Sequence, residues 1–177
     1  GLERASGYDF NTRLAFTLGD VGGEPMDITW STVSSHLKSR VTRVLEDSPE
    51  DELAGRISFP KWRFDSTIAM NWKNIGATWV TRIIGKQQGN DDDLGDFDQF
   101  ANLPVGTLTR PYGTVPTTWY HDLAFNYTWD RVSFNFGMRN VFDKQPPTVG
   151  AGPNRMNSVS GGGYDFFGRT AFFNVKT

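Results

Sequence analysis

The sequence predicts an all-β fold, an antiparallel transmembrane β-barrel segment of about seven strands. Three observations carry that expectation. Long runs alternate apolar and polar residues with a period of two, the mark of strands with two unlike faces. The connections between those runs alternate between short and long. Finally, only 37% of the 177 residues are hydrophobic while 14% are aromatic, a balance suited to strands that are apolar on one face only.

The runs are clearest near the C-terminus. Trp119, His121, Leu123, Phe125 and Tyr127 share one face, and Tyr120, Asp122, Ala124, Asn126 and Thr128 the other. After a turn at Trp129–Asp130, Val132, Phe134, Phe136, Met138 and Phe142 oppose Arg131, Ser133, Asn135, Gly137 and Arg139. Each run is about ten residues long, and a tilted strand needs about 9–11 to cross a bilayer.

Upstream, Tyr8–Leu18 sets Tyr8, Phe10, Thr12, Leu14, Phe16 and Leu18 against Asp9, Asn11, Arg13, Ala15 and Thr17. In Met26–Lys38, Ile28 and Trp30 keep one parity while Val33 and Leu37 take the other. A bulge between them is expected, because one extra residue flips every later side chain. Phe64–Trp72 and Gly76–Gly85 supply two further strands. The last, Arg169–Thr177, alternates except where Phe172 interrupts its polar face.

Short connections fall at Gly19–Pro25, Lys73–Ile75 and Trp129–Asp130, and long ones at Ser39–Arg63, Lys86–Pro116 and Asp143–Gly168. A soluble sandwich has no reason to sort its loops this way, since both of its ends face water. Outer-membrane barrels do sort them, with short periplasmic turns and long extracellular loops. Loops beyond about 15 residues are otherwise uncommon in compact domains. Trp72, Trp79, Tyr127 and Trp129 are placed near short-turn ends and Trp119 near a long-loop end, as two aromatic girdles require.

Composition narrows the rest. No apolar run is long enough for a transmembrane helix. Gly1 to Phe10 has no secretory-signal pattern, so an internal fragment or a processed start is expected. A net charge of −2 gives no reason to expect nucleic acid. The absence of cysteine excludes disulfides, thiolate metal sites and Cys nucleophiles. Two histidines without cysteine offer little for a transition-metal site. His121 and Asp122 point to opposite faces and cannot form a triad-type pair. Gly161-Gly162-Gly163 has no helix pattern after it and reads as a flexible loop, not a phosphate loop. No cofactor is expected.

The longest loop holds the candidate ligand contacts. Phe97, Phe100 and Tyr112 are placed where they could hold a solute at a pore mouth. Asp91-Asp92-Asp93, with Asp96 and Asp98, offers oxygen ligands of the kind Ca²⁺ takes. It lacks the spacing and terminal Glu of a calcium loop, and a solvated loop is the preferred reading. On the polar faces, Arg13, Arg82, Arg131 and Arg139 are expected to pair with Asp9, Asp65 and Asp122.

One string is recognisable. Arg139-Asn140-Val141-Phe142-Asp143-Lys144, followed by Pro146-Pro147, resembles the "N-[LV]-F-D-K-x-P" segment near the end of TonB-dependent outer-membrane receptors. Tyr164-Asp165 and then Gly168-Arg169-Thr170 resemble the "YD…GR" lead-in to their last strand. Pro60-Lys61-Trp62-Arg63 is also of a type common there. The resemblance covers about the last 60 residues. It implies that residues 1–177 are the C-terminal portion of a roughly 22-stranded barrel, without its plug or the motif that contacts the energising protein.

Implied partners are outer-membrane lipid, the missing N-terminal barrel and plug, the inner-membrane complex acting through TonB, and a scarce solute. Ferric siderophores, cobalamin and oligosaccharides are all carried by such receptors. The implied location is the outer membrane of a Gram-negative bacterium, and the implied role is gated import without bond-making chemistry. Asn140, Phe142, Asp143, Tyr164, Asp165, Gly168 and Arg169 are read as shaping the last loop and strand junction. One departure stands out: such barrels usually end on an aromatic residue, whereas this chain ends on Lys176-Thr177. A passive porin-type channel and a soluble β-sandwich carbohydrate-binding module are the alternatives. An outer-membrane enzyme is disfavoured by the missing catalytic constellation.

Overall fold

The computed structural model describes residues 1–88, 114–147 and 163–177, and these contain ten strands and no helix. Seven strands are long: β1 (Leu2–Val21), β2 (Glu24–Arg43), β4 (Trp62–Trp72), β5 (Ile75–Ile84), β8 (Thr118–Trp129), β9 (Val132–Arg139) and β10 (Thr170–Lys176). Three are two-residue pieces: β3 (Asp51–Glu52), β6 (Gln87–Gln88) and β7 (Thr114–Val115). The long strands pair antiparallel in the order β1-β2-β4-β5-β8-β9-β10, with β3 added to β2 and β6 paired with β7 apart. The sheet is open, with β1 and β10 as its edges.

Each short turn has two residues, because Val21 pairs with Glu24, Trp72 with Ile75 and Trp129 with Val132. Gly22 and Gly23 both have positive φ, 61° and 88°, as a tight turn matching the strand twist requires. Lys73 and Asp130 enter the same left-handed region at 53° and 51°. The three short turns lie at one end of the meander and the three long connections at the other.

Register carries one side-chain parity across the whole sheet. Leu18, Met26, Trp72, Ile75, Tyr127, Phe134 and Val175 form a single row through all seven long strands. The rows above it are Phe16-Ile28-Met70-Ala77-Phe125-Phe136-Phe173 and Leu14-Trp30-Ile68-Trp79-Leu123-Met138-Ala171. The opposite face carries Arg13-Ser31-Thr67-Val80-Asp122 and Asn126-Asn135-Asn174. One face is therefore apolar in these three rows, with the polar row Thr12-Thr32-Ser66-Thr81-His121 following on the same side, and the other face is largely polar.

Three expectations need correction. The bulge does not lie between Trp30 and Val33, because β2 pairs with β1 without a shift from Met26 to Leu37. It lies at Lys38, between the pairs Gly7–Leu37 and Ser6–Ser39. Gly7 permits it, since a Cβ there would run into the His36 carbonyl. Val33 and Leu37 are apolar residues standing on the polar face. The first two strands are also longer than Tyr8–Leu18 and Met26–Lys38, at 20 residues each. Finally, Trp79 is not near a short-turn end. It pairs with Ile68 and Leu123 in the third row.

Phe172, the interruption in the last polar face, has a partner that explains it. It pairs with Gly137, and a Cβ at Gly137 would lie 2.6 Å from Phe172 Cζ and 2.5 Å from the Leu123 carbonyl oxygen. The ring covers the bare glycine, a packing device familiar from sheets. Gly137→Ala should therefore destabilise the protein by about 1–3 kcal/mol through overpacking. Denaturant unfolding checks this, and an unchanged midpoint would show that the ring is free to move aside.

Candidate functional site

The only fully buried side chains among the described residues collect on the polar face, at the end with the long connections. Ile84 and Tyr120 rise from β5 and β8, and Val115 of β7 and Tyr164 of the last connection close over them, with Ile57 packed alongside. All four core members are at most 6% exposed. A sheet with a broad apolar face has thus placed its small core on the opposite side. The covering groups Ile57, Val115 and Tyr164 come from the described parts of the three long connections.

Gln87 joins this cap. Its side chain is fully buried, its Oε1 accepts from the Ser58 N–H at 2.6 Å, and its Nε2 donates to the Tyr164 hydroxyl. Nothing in the sequence singled out Gln87, since a glutamine in a polar loop carries no pattern. Burial pushes the Tyr164 phenol above its ordinary range, with the neighbouring Tyr120 adding to the effect.

The recognised string forms a compact junction. Asn140 is fully buried, with its Oδ1 accepting from the Lys144 N–H at 2.8 Å and its Nδ2 donating to the Lys144 carbonyl at 3.0 Å. Its own N–H donates to Asp122 Oδ1 at 2.8 Å, and the Val141 N–H to the His121 carbonyl at 2.8 Å. Asp143 Oδ1 accepts from the Arg169 N–H at 2.9 Å, which ties the end of β9 to the start of β10. Gly168 supports that contact with a φ of 71°. Asp165 Oδ1 accepts from the Phe167 N–H at 2.9 Å. Phe142 turns to the other face, edge-on to His121 at 5.2 Å and near Trp79 at 6.3 Å.

His121 and Asp122 do face opposite ways. His121 Nδ1 lies 3.0 Å from Thr81 Oγ1 on the apolar face, whereas Asp122 meets Asn140 and Arg82 on the polar one. Of the charge pairs expected across the polar face, the one within 4 Å among the described residues is Arg82–Asp122, at 3.6 Å. Two other pairs extend the sheet beyond the apolar rows, Arg4–Glu50 at 2.7 Å and Arg40–Glu3 at 2.5 Å. The bulge at Lys38 is what puts Arg40 on the face of Glu3.

Beside that bulge lies a shallow hollow of about 460 Å³ on the polar face, lined by Gly7, Asp9, Ser35, Arg40, Phe59 and Arg63 among others. Asp9, Ser35 and Arg63 occupy one row across three strands. The Arg40 guanidinium sits 4.5 Å over the Phe59 ring. Carboxylate, hydroxyl and guanidinium in one row can meet both donors and acceptors of a small polar solute. Phe97, Phe100, Tyr112 and the Asp91–Asp98 acidic run lie outside the described residues, as do Gly161 and Gly162. Among the described residues no three His, Asp or Glu side chains gather as a metal site.

Comparison with family models, curated proteins and solved structures found no match.

Two outcomes follow from this geometry. Asn140→Ala removes the two hydrogen bonds to the Lys144 N–H and carbonyl in a partly exposed turn and should cost about 1 kcal/mol, read from thermal or denaturant unfolding. Glu52 offers a pH test. The Ser39 hydroxyl first, then the Arg40 and Ala54 N–H groups, hold its carboxyl below the usual range. A depressed folded pKa stabilises above the unfolded value, and that stabilisation is lost as pH falls through the folded one. The protection of the Arg40 and Ala54 amides, measured against their intrinsic exchange rates, should fall on acidification, and Glu52→Gln should remove that pH dependence of protection.

Proposed function

We propose that this chain is a stretch of the wall of a transmembrane β-barrel, the C-terminal part of an outer-membrane receptor that imports a scarce solute using energy passed through TonB. The observation that carries the membrane reading is the exposed apolar face, whose three successive rows run through all seven long strands. Its side chains stand well exposed, with Tyr8 at 56%, Trp119 at 51% and Phe173 at 67%. Trp62 and Trp72 bound it at the two ends of the 11-residue β4. About ten steps of about 3.3 Å, tilted by about 40°, give a height near 25 Å, the thickness of the apolar band of such barrels.

Past that band the chemistry changes at once. Tyr8, His36 and Trp62 form a last aromatic row, with His36 stacked 4.2 Å from Trp62. Beyond it β1 and β2 carry Glu3, Arg4, Lys38, Arg40 and Arg43. At the other end Lys73 caps the Trp72 ring at 4.9 Å. Both limits have the aromatic-then-charged order that an interface with water selects.

The open edges fit a piece of a larger ring. A strand edge in lipid leaves N–H and C=O groups without partners, so spanning sheets close. The receptor class rests on the recognised string and on its work here in joining β9 to β10. The polar face would line the lumen, with the loop cap at its outer mouth and a polar solute entering past it. A soluble sandwich calls for a second sheet against the apolar face. Among the described residues the two-stranded piece lies on the polar side instead.

Fractionation of the producing cells tests this. An antibody to the chain should find an outer-membrane band much heavier than 19.9 kDa, with a mobility that changes on boiling. A soluble band near 19.9 kDa would overturn the proposal.

A further inference from the structure

We propose that Gln87 is a latch that couples the described segments of the three long connections, around Ser58, the Gln87–Val115 pair and Tyr164, into one cooperative unit on the polar face. Each connection contributes one arm. The β3–β4 connection offers the Ser58 N–H to Gln87 Oε1. The connection between β9 and β10 offers the Tyr164 hydroxyl to Gln87 Nε2. The β5–β8 connection supplies Gln87 itself, paired with Val115. An amide side chain presents a neutral acceptor and a donor on one rigid group, which suits it to span two such partners.

Backbone contacts reinforce the joint. The Ile57 N–H donates to the Gln88 carbonyl at 3.0 Å, and the Gln88 N–H to the Gly55 carbonyl at 2.8 Å. Ser58 is held at a φ of 77°, a region costly for a residue other than glycine. That conformation aims its N–H at Gln87, so the glutamine helps to hold the strained residue. The amide is sealed from water by the cluster of Ile84, Val115, Tyr120 and Tyr164, where a lost partner is not replaced by solvent.

Cooperativity is the consequence. Pulling the Ser58 or the Tyr164 segment away breaks its hydrogen bond to Gln87, and pulling the Gln87 hairpin away breaks both. A solute that displaces one segment is therefore felt at Gln87 and, through it, by the other two. This inference does not rest on the membrane reading, since every group in it lies on the opposite face from the apolar rows.

Amide hydrogen exchange on the full protein tests it, with Tyr164→Phe as the mild variant and Gln87→Leu as the severe one. Tyr164→Phe keeps the ring in the cluster and removes one arm. The expected result is exchange about tenfold faster at Ile57 and Ser58, residues of a different connection, as well as around Phe167 and Arg169. Acceleration confined to the last connection would overturn the latch. Gln87→Leu should accelerate all three connections together. If it accelerates only its own hairpin, the connections are independent.

Discussion

Every feature of this sheet depends on parity being kept across six successive strand pairings. Side chains alternate with a period of two, so a slip of one residue in any pairing would send half of that strand's aromatics to the polar face. The register holds without a shift through Leu18–Gly7 against Met26–Leu37 and through all of β4, β5, β8 and β9. Two-residue turns limit the slack at one end, where one irregularity lies outside the rows, between the pairs Leu18–Met26 and Val21–Glu24. The other lapse, at Lys38, comes only after the apolar rows have ended. There a flipped parity does no harm and places Arg40 beside Glu3.

Much of this was legible in the sequence, for a physical reason. A face that must be apolar in every strand writes its period directly into the residues, and all seven long strands were readable from alternation. What stayed hidden lay where that pressure is absent. Val33 and Leu37 suggested a bulge only because a polar face tolerates an apolar residue, so parity there is a weak signal. The outer ends of β1 and β2, rich in charge, looked like loop because nothing in Leu2–Gly7 or Ser39–Arg43 alternates. Phe172 made sense only once Gly137 stood opposite it, a pairing that no local pattern reveals.

The candidate site divides in the same way. Asn140, Asp143 and Arg169 could be found because they belong to a short string with a fixed order, and their contacts are mostly with backbone close by. Asn140 closes a ring with Lys144, four residues on, which is a local device. Tyr164 was found on the same string, but its work is not local. It reaches Gln87, 77 positions away, and such a contact leaves no trace in composition or spacing. Long connections meeting over a sheet are set by tertiary packing, and only coordinates bring them together.

The two faces also divide stability from recognition. The apolar face has no partner within the described residues and gains little until something apolar covers it. The polar face, which would ordinarily be the less stable side, carries the buried core and the amides of Gln87 and Asn140, each hydrogen-bonded through both its oxygen and its nitrogen. Local order at the end with the long connections is therefore secured by groups of those connections and not borrowed from whatever surrounds the strands. That separation lets the apolar face be chosen wholly for its surroundings. It also leaves the hollow between Asp9 and Arg63 bordered by Phe59, the neighbour of Ser58. A solute seated there would press on the same segment that Gln87 holds, so that the groups able to meet it and the groups able to respond are one residue apart.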